Sequence, residues 1–150
     1  MPGDRGRQAL WACPRCARTF AARNQTHTCR PLGDLDRHFV GKDPDVRRAF
    51  DAVLAAVGEL GPVTVLPQSS RIALHVRMSF AAFVPRRHWL DGHVVLARRL
   101  DHPRFRRIEE YSPRNVLHAF RLLGPDDVDA EVRSWLAEAY QVGCQDHLRA

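Results

Sequence analysis

The chain has 150 residues, of which 45% are hydrophobic and 27% charged, and its formal net charge is +6 at pH 7. This size and composition predict a globular protein with one domain of common size and a buried core. No apolar run approaches the roughly 20 residues that a membrane-spanning helix needs. The N-terminal sequence MPGDRGRQAL lacks the apolar core of a signal peptide. We therefore expect a cytoplasmic protein that does not enter a membrane.

The positive charge is concentrated in two blocks of the chain. Residues 1–30 carry +5 and residues 71–121 carry +7, whereas residues 34–59 carry −2 and residues 122–150 carry −4. Basic blocks of this kind favour an anionic partner, because the partner releases bound counterions when basic side chains neutralise it. The charge pattern therefore predicts a surface that contacts DNA or RNA.

The stretch WACPRCARTFAARNQTHTC holds three of the four cysteines and one histidine at metal-binding spacing. Cys13 and Cys16 form a C-x-x-C pair, and His27 and Cys29 follow as H-x-C. Zinc takes four such thiolate and imidazole ligands in a closed, tetrahedral structural site. We therefore expect a structural zinc ion in a zinc-finger-like or zinc-ribbon-like module over residues 1–32.

The H-x-C ending limits the helix that this module can contain. Residues two apart on an α-helix point roughly 200° from each other, so any helix must stop near His27 for both ligands to reach one metal. The remaining helix is too short to read bases in the major groove. One alternative pairs Cys29 with His38 instead of His27, and another has three reduced thiols and no metal. Cys144 stands apart and is expected to be a packed or spare thiol.

A helix follows the N-terminal module after a linker over residues 30–42. Apolar residues at three- and four-residue spacing predict this helix over residues 44–57, with Asp43 as its cap and Pro44 in its first position. Alternation with a period of two then indicates strands. The predicted strands cover residues 63–66, 71–77, 80–84, 94–97 and 116–123, with a turn region over residues 86–92.

The segment over residues 102–112 has no periodicity and is predicted to be a loop. The acidic turn GPDD then opens a second helix, whose apolar stripe ends near Gly143. One helix, a run of strands and another helix predict an α+β domain over residues 33–150. We expect an antiparallel sheet of four to five strands with two helices packed on one face. The other face would carry Arg71, His75 and Arg77.

Several segments together resemble a known bacterial family. They are HFVGKDPDVRRAFDAVLAAV, GPVTVLP, SRIALHVRMSFAAFVPR and DDVDAEVRSWLAEAYQVG, preceded by NQTHTC at the end of the zinc stretch. Over roughly residues 35–142 the chain resembles the domain of unknown function 5655, and its N-terminus is similar to that of members with a zinc ribbon. Members also form the C-terminal part of larger proteins described as predicted transport or nuclease-like. The resemblance implies an α+β fold and brings no established activity or catalytic residue.

The first functional hypothesis is a nucleic-acid-associated binding module. In it, arginines of the zinc module and of the sheet contact phosphate groups. The candidate contacts are Arg15, Arg18 and Arg23 in the module, and Arg71, Arg77, Arg86, Arg87, Arg98 and Arg99 in the domain. The alternative for these arginines is a solvated face in which several pair with acidic residues of the helices.

The second hypothesis is a small-molecule-binding domain or enzyme with a histidine-containing pocket, in which Asp36 could pair with His38, or Asp101 with His102. The histidines available for acid–base chemistry are His38, His75, His88, His93, His102 and His118. The sequence has no phosphate-binding loop, nucleophile elbow or paired-carboxylate motif, so we expect binding rather than catalysis. The third hypothesis is a protein-interaction adaptor.

Overall fold

The computed structural model describes residues 9–14, 19–20 and 34–145. These residues form a two-stranded hairpin, a six-stranded antiparallel sheet and two α-helices. The expected division between residues 32 and 33 falls outside them. Neither helix in this part of the chain is long and apolar enough to cross a bilayer.

The first helix, α1, spans Pro44–Gly58 and confirms the predicted helix. Proline favours the first helical position because its φ is already set for a helix and its missing N–H would have no partner there. Asp43 occupies the N-cap position, but its carboxylate makes no capping hydrogen bond. It lies 2.6 Å from Nδ1 of His88 instead. The apolar side of α1 is buried through Val46, Ala49, Phe50, Val53, Ala56 and Val57.

The second helix, α2, spans Ala130–Gly143 and begins later than predicted. Pro125–Asp127 form a separate 3₁₀ helix, and Val128 follows it with a non-helical φ of −84° and ψ of 67°. Asp129 then caps α2, because its carboxylate accepts a hydrogen bond from the backbone N–H of Val132 at 3.0 Å. The prediction that the GPDD turn opens α2 is therefore wrong.

The strands of the hairpin and of the large sheet are numbered in chain order. The hairpin pairs β1, Trp11–Ala12, with β2, Thr19–Phe20. The large sheet has the order β3-β4-β5-β6-β8-β7, and every neighbouring pair is antiparallel. Its strands are Thr64–Pro67 (β3), Ile72–His75 (β4), Ser79–Pro85 (β5), Leu90–Leu96 (β6), Arg107–Ser112 (β7) and Asn115–Leu122 (β8).

The prediction of four to five strands is wrong, because the sheet has six. The additional strand is β7, which lies in the segment predicted to be a loop. Its sequence, RIEEYS, is partly or fully exposed along its whole length, as expected for a strand at the sheet edge. Such a strand buries no continuous apolar side. Its sequence therefore lacks the alternation of apolar and polar residues from which the other strands were predicted. β6 also begins earlier than predicted, because Asp91 and Gly92 interrupt its apolar pattern.

Both helices pack on the same side of the large sheet, as predicted. Phe50 of α1 lies 5.8 Å from Phe83 of β5 between ring centroids, and Phe83 lies 6.4 Å from Phe120 of β8. Trp135 of α2 packs on Phe120 at 5.6 Å. These rings belong to one apolar cluster that joins the helices to alternate residues of the strands. Alternation leaves the intervening strand residues on the other face.

Candidate functional site

A transverse row of side chains crosses the sheet face that points away from the helices. Cross-strand pairing places Ala82 beside His93, His93 beside Ala119, and Ala119 beside Arg107. Residues directly opposite each other on neighbouring strands share a face of the sheet. The two alanines therefore flank His93, and their short side chains leave a depression in the centre of this face.

Long basic side chains surround the depression. The resulting concavity encloses about 280 Å³, near the lower end of the range for small-molecule sites. Five guanidinium groups and one carboxylate line it, which gives a formal charge of +4 when the histidine is neutral. We call this set the arginine cradle. Its members are Arg71, Arg86, Arg106, Arg107 and Arg121, with Asp91 and His93.

The backbone of the sheet positions the arginines at opposite sides of the cradle. Arg71 lies in the turn between β3 and β4, where its carbonyl accepts a hydrogen bond from the Gln68 N–H at 2.8 Å. Arg106 directly precedes β7, and its N–H donates to the Ala119 carbonyl at 2.8 Å. Arg107 is the first residue of β7. The cradle therefore depends on strands that are distant in sequence.

Asp91 holds two of the arginines in place. Its carboxylate accepts hydrogen bonds from Nε of Arg86 at 3.0 Å and from Nε of Arg121 at 3.2 Å. The Arg121 guanidinium also lies over the Trp89 ring, 4.2 Å from its centroid. Burial raises the pKa of Asp91, but the hydrogen bonds from the two arginines lower it by more. The pKa of Asp91 therefore lies below its ordinary value. Asp91 is therefore an ionised anchor for two guanidinium groups.

Two other arginines of the cradle have no carboxylate partner in the described part of the chain. Nε of Arg71 donates to the neutral side chain of Gln68 at 3.0 Å. Arg106 makes no side-chain hydrogen bond or ion pair within the same residues. Arg107, by contrast, pairs with Glu109 at 3.0 Å. Arg71 and Arg106 can therefore donate to an external anion without breaking an internal ion pair.

His93 occupies the floor of the cradle and is neutral at physiological pH. Burial lowers its pKa, and the positive charges of Arg71 and Arg107 lower it further, to about 4, although Glu109 acts in the opposite direction. A neutral imidazole offers one hydrogen-bond donor and one acceptor. An anion bound beside it could therefore receive an imidazole N–H together with the surrounding guanidinium groups.

The predicted arginine contacts are only partly brought together. Of the nine, the structure places Arg71 and Arg86 in the cradle. Arg87 is exposed in the turn after β5, where its carbonyl accepts a hydrogen bond from the Asp43 N–H at 2.8 Å. The three candidates of the zinc module, Arg15, Arg18 and Arg23, lie outside the described residues.

The other three predicted contacts have acceptors within the protein. Nε of Arg77 donates to the Gln145 side chain at 2.9 Å. Arg98 makes two hydrogen bonds of 3.0 Å to Glu138 of α2. Arg99 donates to Asp101 at 3.0 Å. These three arginines therefore fit the alternative hypothesis, in which the arginines form a solvated face with partners inside the protein. They do not form an anion-binding face together with the cradle.

Sequence reasoning missed Arg106, Arg107 and Arg121, which complete the cradle. Arg106 and Arg107 were not recognised as sheet residues, because the segment that contains β7 was predicted to be a loop. Arg121 lies in a strand that was predicted, and it alternates with the buried residues Phe120 and Leu122. That alternation already indicated that Arg121 faces away from the core, on the same side as other strand arginines.

The buried histidine His118 is structural. Its Nδ1–H donates to the Val116 carbonyl at 2.9 Å, and its Nε2 accepts from the Leu100 N–H at 2.9 Å. These partners fix a neutral tautomer, because a carbonyl can only accept and a backbone N–H can only donate. Burial accordingly lowers the pKa of His118. Both nitrogens are occupied, so His118 is not available for acid–base chemistry.

The two predicted Asp–His pairs do not form in the described part of the chain. Asp36 pairs with Arg47 at 2.8 Å instead of His38, and Asp101 pairs with Arg99. His102 is 2.9 Å from Glu131 through Nε2, while its Nδ1 accepts from the backbone N–H of the nearby residue 104 at 3.1 Å. Asp36 and His102 therefore pair with residues of α1 and α2, while Asp101 pairs with a neighbour two residues away. The two predicted Asp–His pairs are wrong, and His102 and His88 pair with Glu131 and Asp43 instead.

One of the four predicted zinc ligands is described by the structure. Cys13 directly follows β1 and is 4% exposed. Cys16, His27 and Cys29 lie outside the described residues. The alternative ligand His38 donates its Nε2–H to the Gln68 carbonyl at 2.8 Å. Residues 9–14, 19–20 and 34–145 contain no group of three or more His, Cys, Asp and Glu side chains arranged to hold a metal.

Comparison with known proteins places most of the chain in one family. Residues 35–143 match the family model described as "Domain of unknown function (DUF5655)". This range contains both helices, all six strands of the large sheet and every residue of the arginine cradle. The curated proteins and the solved structures gave no significant match.

Proposed function

We propose that this chain, which belongs to the DUF5655 family, is a nucleic-acid-associated binding module whose arginine cradle contacts phosphate groups. The observation that carries the proposal is the convergence of five guanidinium groups on one sheet face. Contacts between basic side chains and phosphates supply affinity that does not depend on base sequence. Asp91 orients two of the guanidinium groups, while Arg71 and Arg106 remain available for an anion.

A binding role agrees better with the cradle than an enzymatic role does. The cradle contains one histidine and one carboxylate, which an enzyme could use. However, the Asp91 carboxylate is engaged by two guanidinium groups, and the pKa of His93 is lowered to about 4. A general base works best when its pKa lies near the working pH. We therefore keep a small-molecule site or enzyme as the second candidate.

The test is a fluorescence anisotropy titration with labelled single-stranded and double-stranded DNA and RNA at about 50 and 200 mM salt. Arg106→Ala should weaken binding several-fold and reduce its salt dependence. Arg133→Ala is the matched control, because Arg133 is an exposed arginine of α2 in the helical layer. It removes the same charge outside the cradle and should leave binding unchanged. The absence of salt-sensitive binding by the unaltered protein would overturn the proposal.

We also propose that Cys13, Cys16, His27 and Cys29 bind a structural zinc ion. The β1–β2 hairpin supports this proposal, because Trp11 pairs with Phe20 and these two strands flank the C-x-x-C pair in the sequence. Two thiolates at this spacing can reach one metal. Thiolate ligands persist in a reducing compartment, which agrees with a cytoplasmic location.

A metal assay on the purified protein tests the zinc proposal. We expect one equivalent of zinc, which Cys16→Ser should release while the α+β domain remains folded. Cys144→Ser is the matched control, because it removes a thiol from the end of α2 and should retain the metal. A protein that holds no stoichiometric zinc would contradict the assignment.

A further inference from the structure

The five arginines of the cradle line one depression on the sheet face. Arg86, Arg107 and Arg121 meet around the same floor as Arg71 and Arg106. In the part of the chain that the structure describes, Arg98 donates to the protein's own acceptor on α2. A compact group of charges suits one or two phosphates, whereas a polynucleotide backbone requires a longer basic path.

The described residues that line the cradle include no exposed aromatic ring, and the exposed Tyr111 of β7, whose hydroxyl donates to Glu109 at 2.9 Å, is not among them. Phe120 is the aromatic side chain among its lining residues, but it is only 1% exposed because its ring packs in the core. The nearby Trp89 ring is covered by the Arg121 guanidinium. Proteins that bind single strands along their length usually stack successive bases on aromatic rings. The described cradle therefore favours the recognition of phosphate over that of bases.

The groups around His93 favour an anion that carries more than one negative charge. Arg71 acts on His93 from the turn between β3 and β4 and Arg107 acts from β7, while Glu109 of β7 partly opposes them. Asp91, on the same strand as His93, is already neutralised by its ion pairs with Arg86 and Arg121. A bound anion would thus meet a net positive environment and one imidazole N–H.

We infer that the arginine cradle is a subsite for a single phosphate monoester, held by Arg71, Arg106, Arg107 and His93. A monoester presents three terminal oxygens and a charge of about −1.5 to −2 at pH 7, so it matches several convergent donors. A diester within a nucleic-acid backbone carries one charge and two free oxygens. This inference rests on the proposed function and specifies which phosphate the cradle selects.

His93 should act in the subsite as a neutral donor. Its pKa without ligand is lowered to about 4, so a dianion beside it would have to raise that pKa by more than about two units before the ring gained a proton at pH 6.5. Affinity for the monoester should therefore change little as the pH falls from 8 to 6.5, while the ligand remains mostly doubly charged. His93→Gln, which keeps an N–H donor, should retain the preference for the monoester, whereas His93→Ala should reduce it.

The experiment compares one single-stranded oligonucleotide with a 5′-phosphate and the same oligonucleotide with a 5′-hydroxyl, both labelled at the 3′ end. The full chain should bind the phosphorylated form at least about tenfold more tightly, which corresponds to one or two strong charge-assisted hydrogen bonds. Inorganic phosphate and a sugar phosphate serve as competitors. If a sugar phosphate binds tightly and neither oligonucleotide does, the monoester comes from a free metabolite.

Variants separate this inference from the proposed function. Arg71→Gln and Arg106→Gln should remove the preference for the 5′-phosphate, whereas Arg133→Gln should retain it, with folding checked by circular dichroism. Equal affinity for the two oligonucleotides, with a salt dependence that grows with strand length, would overturn the monoester subsite and leave nucleic-acid binding intact. Failure to bind any of these anions would overturn both proposals.

Discussion

The two faces of the large sheet use neighbouring residues of the same strands in different ways. Towards the helices, β5 and β8 present Phe83 and Phe120, which are buried in aromatic contacts. Towards the other face, the adjacent residues are Ala82 and Ala119, which flank His93. Large side chains fill the space under the helices, and small ones leave space on the opposite side. The comparison shows how alternation alone separates a face packed by the helices from a face with a depression.

The same contrast applies to the two histidines of neighbouring strands. His118 of β8 faces the helices, and both of its nitrogens bond to backbone groups. His93 of β6 faces the cradle and makes no side-chain hydrogen bond within the described residues. Both have lowered pKa values, mainly because of burial. A lowered pKa therefore does not by itself distinguish the two histidines, whereas the hydrogen bonds of their ring nitrogens do.

The largest expected difference between the two faces is in core stability. Phe83→Ala should lower the free energy of unfolding by about 3–5 kcal/mol, because it removes a fully buried ring and leaves a cavity. Val84→Ala, on the next residue and the opposite face, should cost about 1 kcal/mol or less. Urea denaturation measures both values. Equal losses would show that the cradle face is packed as tightly as the core.

Acidification should destabilise the protein through the neutral histidines. The folded-state pKa of His93 is lowered from 6.5 to about 4, so below pH 6.5 the unfolded chain binds more protons than the folded protein. The stabilisation is complete above pH 6.5 and is lost as the pH falls towards about 4. For His93 it amounts to at most about 3 kcal/mol.

Urea denaturation at several pH values between 7.5 and 4.5 measures this loss. His93→Gln should reduce the change in unfolding free energy with pH. The pH dependence that remains should include the contribution of His118. An unfolding free energy of the unaltered protein that stays constant over this range would contradict the assignment of neutral histidines. Asp91 adds little to the pH dependence above pH 4, because its pKa is lowered in the folded state and its stabilisation is lost only at lower pH.

His118→Phe should lower the free energy of unfolding by about 1–3 kcal/mol at neutral pH, because the partly buried Leu100 N–H and the Val116 carbonyl lose their partner. The ring size is similar, so the effect reports mainly the two hydrogen bonds. Thermal denaturation can measure it. His118→Phe should also leave anion binding unchanged, since it faces the helices. A variant that is as stable as the unaltered protein would show that His118 is not an essential structural element.

The smallest expected effect concerns the ion pair between Arg98 and Glu138. Both side chains are substantially exposed, at 57% and 36%, and exposed ion pairs typically contribute about 0.2–1 kcal/mol. Glu138→Gln should therefore change the free energy of unfolding by less than about 1 kcal/mol. If it also strengthened anion binding markedly, Arg98 would belong to the binding surface, contrary to the structure.

Local sequence patterns were sufficient for the elements that bury a continuous apolar side. The three- and four-residue spacing that begins at Val46 predicted α1, and the alternation around Phe120 predicted β8. These patterns also predicted an α+β fold with both helices on one face. They failed for β7, whose edge position requires no apolar side, and for the start of α2, where Asp129 rather than the preceding acidic turn provides the cap.

The sequence by itself determined the layering of the domain, because burial imposes a period on residues that are adjacent in the chain. Only the tertiary structure decided which basic residues meet. Arg71, Arg107 and Arg121 converge because β6 pairs with β8 and leaves β7 at the edge. That pairing joins residues distant in sequence through backbone hydrogen bonds, which have no signature in the order of side chains. Charge alone therefore predicted a basic face, and strand order decided that it is a cradle around His93.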